Sequence, residues 1–260
     1  MKISVCGKGG SGKSTVVTLL ANEFAVRGYR VLVVDSDESN SGLFRLLGFK
    51  NPPVPLMELV GGKKGLKEKM AVRLSSGETE VKMDVLTQDK IEARELSAPY
   101  IMSDGKLKLL SIGKIMQSLE GCACPMGVLS REFLRKLYLG ENEIVIVDME
   151  AGIEHFGRGV ETSIDSVLVV VEPSLESIEL AAKIKNLAAD AGVKTIAAVL
   201  NKVISEDIGR KLKEELEKRN VPIAGSIDYR PDIFEASLQG HKIAMISGDR
   251  GIKQIVDWLL

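Results

Sequence analysis

The sequence has no long hydrophobic run, no surplus of one charge and little cysteine. No stretch of 18 consecutive apolar residues occurs, which argues against a transmembrane helix. Lysine plus arginine total 35 against 36 for aspartate plus glutamate, so no global positive field favours nucleic acid or an anionic membrane. We find no internal repeat and no low-complexity segment. The composition therefore predicts a soluble globular protein that binds neither nucleic acid nor membrane.

Cysteine and histidine are scarce, with three and two copies. An odd number of cysteines in a chain without an export signal argues for a reducing compartment and against a disulfide framework. The N-terminal residues enter a candidate strand directly, so we expect no signal peptide and a cytoplasmic location. A length of 260 residues is compatible with one large α/β domain over 1–260.

The most specific motif follows a short apolar strand at the N-terminus and precedes a helical pattern at 16–26. It fits the phosphate-binding pattern G-x-x-x-x-G-K-[ST]. Glycines let the backbone wrap around phosphate oxygens, so that successive N–H groups share one anion-binding concavity. Lys13 supplies charge for the β- and γ-phosphates, and the Ser14 hydroxyl can ligate Mg²⁺. The nucleotide-binding residues predicted here are Gly7, Lys8, Gly9, Gly10, Ser11, Gly12, Lys13, Ser14 and Thr15.

Two apolar runs end in aspartates. The run at 31–34 leads into Asp35 and Asp37, and the run at 143–147 leads into Asp148. Ligands bind at the carboxyl ends of strands in open α/β sheets. An acid at the end of an apolar strand is the arrangement that holds Mg²⁺ in phosphate-binding folds, so Asp148 is predicted to serve Mg²⁺ together with Ser14.

Two of the three cysteines, Cys122 and Cys124, stand one residue apart in the segment 120–127. Pro125 can start a helix, and a helix N-terminus lowers the pKa of a thiol and favours the thiolate that metals need. Two thiolates do not complete a four-ligand site, and Cys6 has the character of a small buried hydrophobe. We therefore expect a Ni²⁺ or Zn²⁺ site shared between two copies of the chain. Two fortuitous exposed cysteines, or a redox pair, are the alternatives.

The string G-K-G-G-x-G-K-[ST] resembles the deviant Walker A ATPases, which include the nitrogenase iron protein, MinD and Mrp. In that family the additional lysine, here Lys8, crosses a dimer interface to the partner's nucleotide. The resemblance makes Asp37 the switch I residue that helps to orient the attacking water, and Gly152 part of switch II, close to the γ-phosphate. Lys8, Lys13, Asp37 and Asp148 are the implied catalytic residues. The alternative for the first switch is a capping cluster for the next helix, made of Asp37, Ser39 and Asn40.

Base recognition is expected at two later strand ends. Asn201 and Lys202 match the N-K motif of P-loop proteins, in which the asparagine hydrogen-bonds the base. Ile204 stands where GTPases place the aspartate that reads guanine, which favours ATP. The segment that resembles the family's adenine-side loop supplies Ile227, Asp228 and Tyr229.

Within this family the combination of the P-loop, C-x-C, D-M-x-A-G-I-E-H and E-P-[SN] looks most like the CooC-type nickel-insertion ATPases of carbon monoxide dehydrogenase and acetyl-CoA synthase. The resemblance implies a homodimer that uses ATP, Mg²⁺ and Ni²⁺ and loads nickel into such an enzyme. Glu150 departs from a glycine common in that switch. Two other classes remain: a MinD-like positioning ATPase, which needs no C-x-C, and an iron–sulfur carrier or reductase of the Mrp or nitrogenase iron protein type.

Alternating strands and helices predict a doubly wound, mainly parallel sheet with helices on both faces. The segment 51–110 carries least of the resemblance, and its basic stretch after residue 60 is interpreted as a solvated face. His155 could be structural, or it could respond to the nucleotide or contact a metal or a partner. Strands are predicted at 31–34, 81–86, 107–112, 143–147, 166–171, 194–200 and 222–227. Helices are predicted at 16–26, after Pro125, at 175–191 and at 251–260.

Overall fold

The computed structural model describes residues 1–39, 42–77, 85–114, 124–157, 159–244 and 249–260. The strands in these ranges are β1 (Lys2–Gly7), β2 (Arg30–Asp35), β3 (Ile91–Glu92), β4 (Ile101–Asp104), β5 (Leu107–Ser111), β6 (Leu137–Tyr138), β7 (Glu143–Asp148), β8 (Ser166–Val171), β9 (Thr195–Val203) and β10 (Ile223–Asp228). Eight of them form one sheet in the order β10-β9-β8-β1-β7-β2-β5-β4, and β3 pairs with β6 separately. Within the main sheet only the β4–β5 pairing is antiparallel. The predicted mainly parallel sheet is confirmed.

The helices pack on both faces of this sheet. They are α1 (Lys13–Val26), α2 (Leu43–Leu47), α3 (Gly62–Ser75), α4 (Cys124–Lys136), α5 (Glu154–Gly157), α6 (Leu175–Asp190), α7 (Glu206–Glu217), α8 (Pro231–Gln239) and α9 (Arg250–Leu259), with 3₁₀ turns at Leu56–Val60 and Val160–Ser163. None of these helices, over the residues described, is long and apolar enough to cross a membrane.

The strands are continuous apolar runs because both faces of the sheet are covered. In β2, Val31 and Val33 pack into the core formed with α1, α2 and α9. Leu32 and Val34 point to the opposite core, which contains α4, α6 and α7. This alternation follows from the two-residue period of a strand. Because both faces of the sheet are closely packed, the residues at the carboxyl ends of its strands are held in place.

One strand prediction is wrong in the part that can be compared. The run at 81–86 was expected to be a strand, but Val85 and Leu86 are not in one. Their N–H groups instead donate to the carboxylate of Glu132 on α4, at 2.5 and 2.7 Å. Residues 81–84 lie outside the described ranges. The predictions at 31–34, 107–112, 143–147, 166–171, 194–200 and 222–227 are confirmed within a few residues at their ends.

Several elements had no sequence prediction. The basic stretch after residue 60 folds as α3, which buries only Leu66 and Met70. The helices α7 and α8, and the antiparallel strand β4, were also not predicted. The helix after Pro125 is confirmed as α4, and the C-terminal helix as α9.

Candidate functional site

The glycine-rich loop joins β1 to α1 at the carboxyl edge of the sheet. Gly7 and Gly12 have φ angles of 139° and 93°, which side chains disfavour. A Cβ on Gly7 would lie 2.6 Å from the carbonyl oxygen of Val170, and one on Gly12 would clash with the amide of Asn201. No side chain caps the start of α1, so its first N–H groups remain available for an anion.

The predicted magnesium residues meet at the start of α1. Ser14 Oγ donates to Asp148 Oδ2 at 2.6 Å. Asp35 is the register partner of Asp148 on the neighbouring strand, so the two carboxylates stand side by side. The ammonium of the buried Lys13 lies 3.5 Å from the carbonyl oxygen of Lys8. The arrangement joins a hydroxyl, two acids and a lysine at one point of the edge.

Burial makes these acids unusually basic. The pKa of Asp148 is raised to about 7, first by desolvation and then by the negative charge of Asp35. The pKa of Asp35 is raised to about 6, again chiefly by desolvation, although Lys114 opposes the shift. In the described part of the chain, Oδ1 of each carboxylate is buried without a hydrogen-bond partner. Buried acceptors that lack a donor fit a site for a cation or its water ligands.

Lys114 belongs to this cluster, and the sequence analysis missed it. Its ammonium lies 2.7 Å from Asp35 Oδ2 and donates to the carbonyl oxygen of Asp37 at 2.5 Å. It follows β5, which is the parallel neighbour of β2. Because parallel strands end at the same edge, the predicted strand at 107–112 could have brought Lys114 to attention.

Asp37 adopts a local turn rather than a helix cap. Its Oδ1 accepts from the N–H of Ser39 at 3.0 Å and from the Ser39 hydroxyl at 2.6 Å. α2 is preceded by Gly42 with no side-chain cap, so Asp37 and Ser39 do not cap it. Asn40 lies outside the described residues. The capping alternative is therefore wrong for Asp37 and Ser39, and water orientation by Asp37 remains a prediction.

The second switch is tied to the P-loop. The N–H of Gly152 donates to the carbonyl oxygen of Gly7 at 3.3 Å. In this geometry that N–H serves the loop backbone, so its contact with a γ-phosphate remains a prediction. His155 is buried, and its ring lies 4.6 Å from that of Phe156. The packing accounts for a structural role without testing a functional one.

Lys8 is held by acids of its own chain. Its ammonium lies 2.8 Å from Glu176 Oε2 and 3.5 Å from Glu172 Oε1. The hydrogen bond with Glu176 raises the pKa of Lys8. Lys202 contacts the same Glu172 at 3.1 Å and donates to the carbonyl oxygen of Gly10 at 2.5 Å. Glu172 and Glu176, which follow β8, thus hold Lys8 of the P-loop directly, and Glu172 also pairs with Lys202, which contacts the loop.

The residues predicted to bind the base lie together at the other end of the P-loop. The amide nitrogen of Asn201 donates to the carbonyl oxygen of Ser11 at 2.8 Å, which braces the loop. A contact between its oxygen and a base remains a prediction. A cavity of about 240 Å³ opens beside it, lined by Asn201, Lys202, Ile227, Asp228 and Tyr229 among others. Phe234 of α8 also lines it, which the sequence analysis did not anticipate.

A larger cavity of about 660 Å³ covers the phosphate end of the site. It is lined by seven residues that the sequence analysis named for nucleotide binding or hydrolysis, namely Gly9, Gly10, Gly12, Lys13, Ser14, Thr15 and Asp37. Arg45 of α2 and Gln239 at the end of α8 line it as well. The two cavities share Gly10, Gly12 and Thr15, so they adjoin each other along the P-loop. That one nucleotide occupies both, with its base in the smaller and its phosphates in the larger, remains a prediction.

A protein-family model covers most of the chain. Residues 3–243 match the model of the CobQ/CobB/MinD/ParA nucleotide binding domain. The chain belongs to this family. It is therefore a P-loop ATPase, as the resemblance to MinD and its relatives implied.

Several proteins of the family are similar to this chain in sequence. An uncharacterized ATP-binding protein of Methanocaldococcus jannaschii is 47% identical over 243 residues, with 94% of each chain covered. The carbon monoxide dehydrogenase accessory protein CooC of Rhodospirillum rubrum is 35% identical over 210 residues, which cover 80% of this chain and 77% of CooC. An iron–sulfur cluster carrier protein of Mycobacterium leprae is 24% identical, and the match spans 58% of its length.

Solved structures of the family share the fold. The cell division ATPase MinD of Pyrococcus furiosus superposes with a TM-score of 0.66 at 20% identity, covering 99% of this chain and 97% of its own. A chain of the MinC:MinD cell division protein complex of Aquifex aeolicus superposes with a TM-score of 0.67 at 19% identity, covering 99% of this chain and 94% of its own. At these identities the likeness concerns the fold alone.

The predicted cysteine site can be located only in part. Cys122 lies outside the described residues, and of Cys124 the structure describes the backbone, as the first residue of α4. Among the residues described, no group of three or more His, Cys, Asp or Glu could hold a metal ion. Cys6 is fully buried, as expected.

Proposed function

We propose that this chain is a dimeric, MgATP-hydrolysing metallochaperone. In this proposal Cys122 and Cys124 of two protomers bind one nickel ion, and the dimer delivers it to a nickel enzyme such as carbon monoxide dehydrogenase or acetyl-CoA synthase. Zn²⁺ would fit the same four thiolates. The partners of the chain would be a second copy of itself and the client enzyme, in the cytoplasm.

The observation that carries the proposal is the similarity to CooC, a carbon monoxide dehydrogenase accessory protein, over 80% of this chain. Two further features support it. The chain spends two of its three cysteines one residue apart. Its helix α4 begins at the second of them, and the dipole of a helix favours a thiolate at its N-terminus.

The residues of the site divide the work of hydrolysis. Mg²⁺ would be held by Ser14 and Asp148, and when bound it neutralises charge on the phosphate oxygens. Lys13 is buried beside the P-loop and places a positive charge at the β- and γ-phosphates. Asp37 lines the phosphate cavity, where its carboxylate can orient a water for attack on the γ-phosphorus, with ADP as the leaving group.

Lys13→Ala should therefore lose ATP binding, whereas Asp37→Asn should bind ATP and hydrolyse it slowly.

An iron–sulfur carrier is the second candidate, favoured by relatives such as the carrier of Mycobacterium leprae. A cluster contains both iron and inorganic sulfide, whereas the proposed site contains nickel or zinc and no inorganic sulfide. Anaerobically purified protein should therefore be analysed first for iron, sulfide, nickel and zinc.

The decisive experiment is a titration of metal-free protein with Ni²⁺, followed by thiolate-to-metal charge transfer and by molecular mass. We expect one ion per two chains and a mass that doubles on binding. The Cys122→Ala, Cys124→Ala double variant should bind no nickel at this site, while Cys6→Ala, which removes a fully buried thiol, serves as the matched control. One ion per monomer, or undiminished binding by the double variant, would overturn the proposal.

A further inference from the structure

Both chain segments that flank the cysteine pair are attached to the same three residues, Asp35 to Asp37. On the upstream side, Lys114 contacts the Asp35 carboxylate at 2.7 Å and the Asp37 carbonyl oxygen at 2.5 Å. On the downstream side, the hydroxyls of Ser130 and Ser36 lie 3.0 Å apart. The side chains of Lys114 and Ser130 are largely buried, so water competes little for these bonds.

The two flanks also pack directly on one another. Met126, in the first turn of α4, is buried. A Cβ on Gly113 would lie 2.6 Å from the sulfur of Met126, so the end of β5 and the start of α4 are in contact with no space between them. A close-packed contact of this kind transmits displacement rather than absorbing it.

The helix α4 is firmly packed along its length. Leu129, Phe133 and Leu134 are fully buried. Glu132 and Lys136 form an ion pair at 3.0 Å inside this packing. A shift of Ser130 relative to Ser36 would therefore be carried along the helix to its first residue, Cys124.

We propose that Lys114 and Ser130 are positioning residues that couple the nucleotide site to the cysteine segment between them. Asp35 adjoins Asp148, the partner of Ser14, so a bound MgATP changes the charge beside the carboxylate that Lys114 holds. Any movement of Asp37 must either carry Lys114 with it or break its bond. The role of the segment in nickel binding rests on the proposed function, whereas the coupling itself does not.

The first test concerns hydrolysis and needs no metal other than Mg²⁺. We expect Lys114→Met to lower kcat by about 10- to 100-fold, as a misplaced reacting group does, with little change in KM for ATP. Lys114→Arg, which keeps the cation, should restore most of the rate. Lys106→Met, at the opposite end of β5, is the matched control and should resemble the unmodified protein. A large rise in KM together with the fall in kcat, or no rescue by arginine, would overturn the positioning role.

The second test measures the coupling on metal-free protein by the rate at which iodoacetamide labels Cys122 and Cys124. Cys6 is fully buried and should stay silent. We expect AMPPNP with Mg²⁺ to change the rate about fivefold or more, the lower range of allosteric coupling. Lys114→Met and Ser130→Ala should remove most of this change while still binding AMPPNP, and Lys106→Met should retain it.

The outcomes separate this inference from the proposed function. The coupling would be overturned if AMPPNP left the labelling rate of the unmodified protein unchanged. It would also be overturned if AMPPNP changed the rate in Ser130→Ala and Lys114→Met as much as in the unmodified protein. A protein that binds no nickel but shows the expected labelling pattern would overturn the metallochaperone and leave the coupling standing.

Discussion

Asp35 and Asp148 are the residues at which stability and function conflict. Their carboxylates adjoin each other on neighbouring strands, and both are almost completely buried. Each pKa is raised, to about 6 and about 7, mainly because ionisation inside the protein is costly. A chain selected for stability alone would have no reason to place two acids here. The Mg²⁺ site proposed here, beside a triphosphate, would supply such a reason.

Replacement of Asp148 by asparagine should therefore stabilise the metal-free protein and abolish its hydrolysis. Asparagine can still accept the hydrogen bond from Ser14 but carries no charge to desolvate. We expect the free energy of unfolding at pH 8 to rise by roughly 1–3 kcal/mol, and ATP turnover to fall to background. Urea denaturation and a phosphate-release assay measure the two effects. A variant that is less stable at pH 8 would show that the carboxylate is not strained by burial.

The same shifts predict how stability depends on pH. A folded pKa of about 6 or 7 against an unfolded value near 4 means that the native state binds more protons between these limits. In the absence of Mg²⁺, this contribution to stability is fully present below pH about 4. It is lost as the pH rises through about 7. Stabilisation by millimolar Mg²⁺ should accordingly be larger at pH 8 than at pH 5.5, because the ion binds the charged carboxylates. Thermal unfolding with and without Mg²⁺ at the two pH values tests this, and equal stabilisation would contradict it.

At the scale of elements, α4 holds Val85 and Leu86, which lie outside any helix or strand. Glu132 is buried and accepts the N–H groups of Val85 and Leu86, while its oxygen pairs with Lys136 at 3.0 Å. Lys136 in turn donates to the carbonyl oxygen of Leu86 at 2.6 Å. A buried pair of this kind is costly to break from one side, since the remaining charge loses its partner.

Glu132→Ala should therefore destabilise the protein by about 3–5 kcal/mol, the usual cost of leaving a buried charge unpaired. The matched control is Glu215→Ala on α7, an acid paired with Lys218 and Arg219 in a more exposed setting. The control should change stability by less than about 1 kcal/mol. Urea denaturation followed by circular dichroism measures both. Similar values for the two variants would show that the buried network contributes little.

The elements also show what local sequence can and cannot predict. The runs that became β2, β7 and β8 were predictable because a strand covered on both faces is apolar throughout. The helix α3 was not, because it buries only Leu66 and Met70 among many lysines, which leaves almost no periodic signal. Val85 was predicted to lie in a strand, but its N–H donates to the side chain of Glu132, 47 positions away. Local patterns do not contain such partners.

The site divides in the same way. The P-loop and Asp148 could be proposed from the sequence because phosphate and Mg²⁺ chemistry requires those residue types after a strand. The role of Asp37 was proposed from the resemblance to the deviant Walker A family. Lys114 could have been found from the predicted strand at 107–112, which ends shortly before it. Arg45 could not, since it reaches the site only through the packing of α2. Lys8 was predicted to act across an interface, and the ion pairs with Glu172 and Glu176 that hold it within its own chain could not be read from spacing.

At the scale of the whole molecule, these ion pairs bear on self-association. Lys8 can neutralise a nucleotide in a second protomer only if it leaves the acids that hold it. Glu176 is largely exposed, so its contact with Lys8 is screened and readily exchanged. The contact with Glu176, the shorter of the two, is thus weak enough for a triphosphate across an interface to replace.

This argument predicts opposite effects for the two partners of one ion pair. With AMPPNP and Mg²⁺, Lys8→Ala should bind nucleotide and stay monomeric in sedimentation. Glu176→Gln should dimerise at a protein concentration about two- to fivefold lower than the unmodified chain, because a weak competing contact is gone. Glu179→Gln, one turn further along α6, removes the same charge without touching Lys8 and controls for net charge. If Lys8→Ala dimerises normally, the lysine does not act across an interface. If Glu179→Gln and Glu176→Gln behave alike, the effect arises from overall charge and not from the release of Lys8.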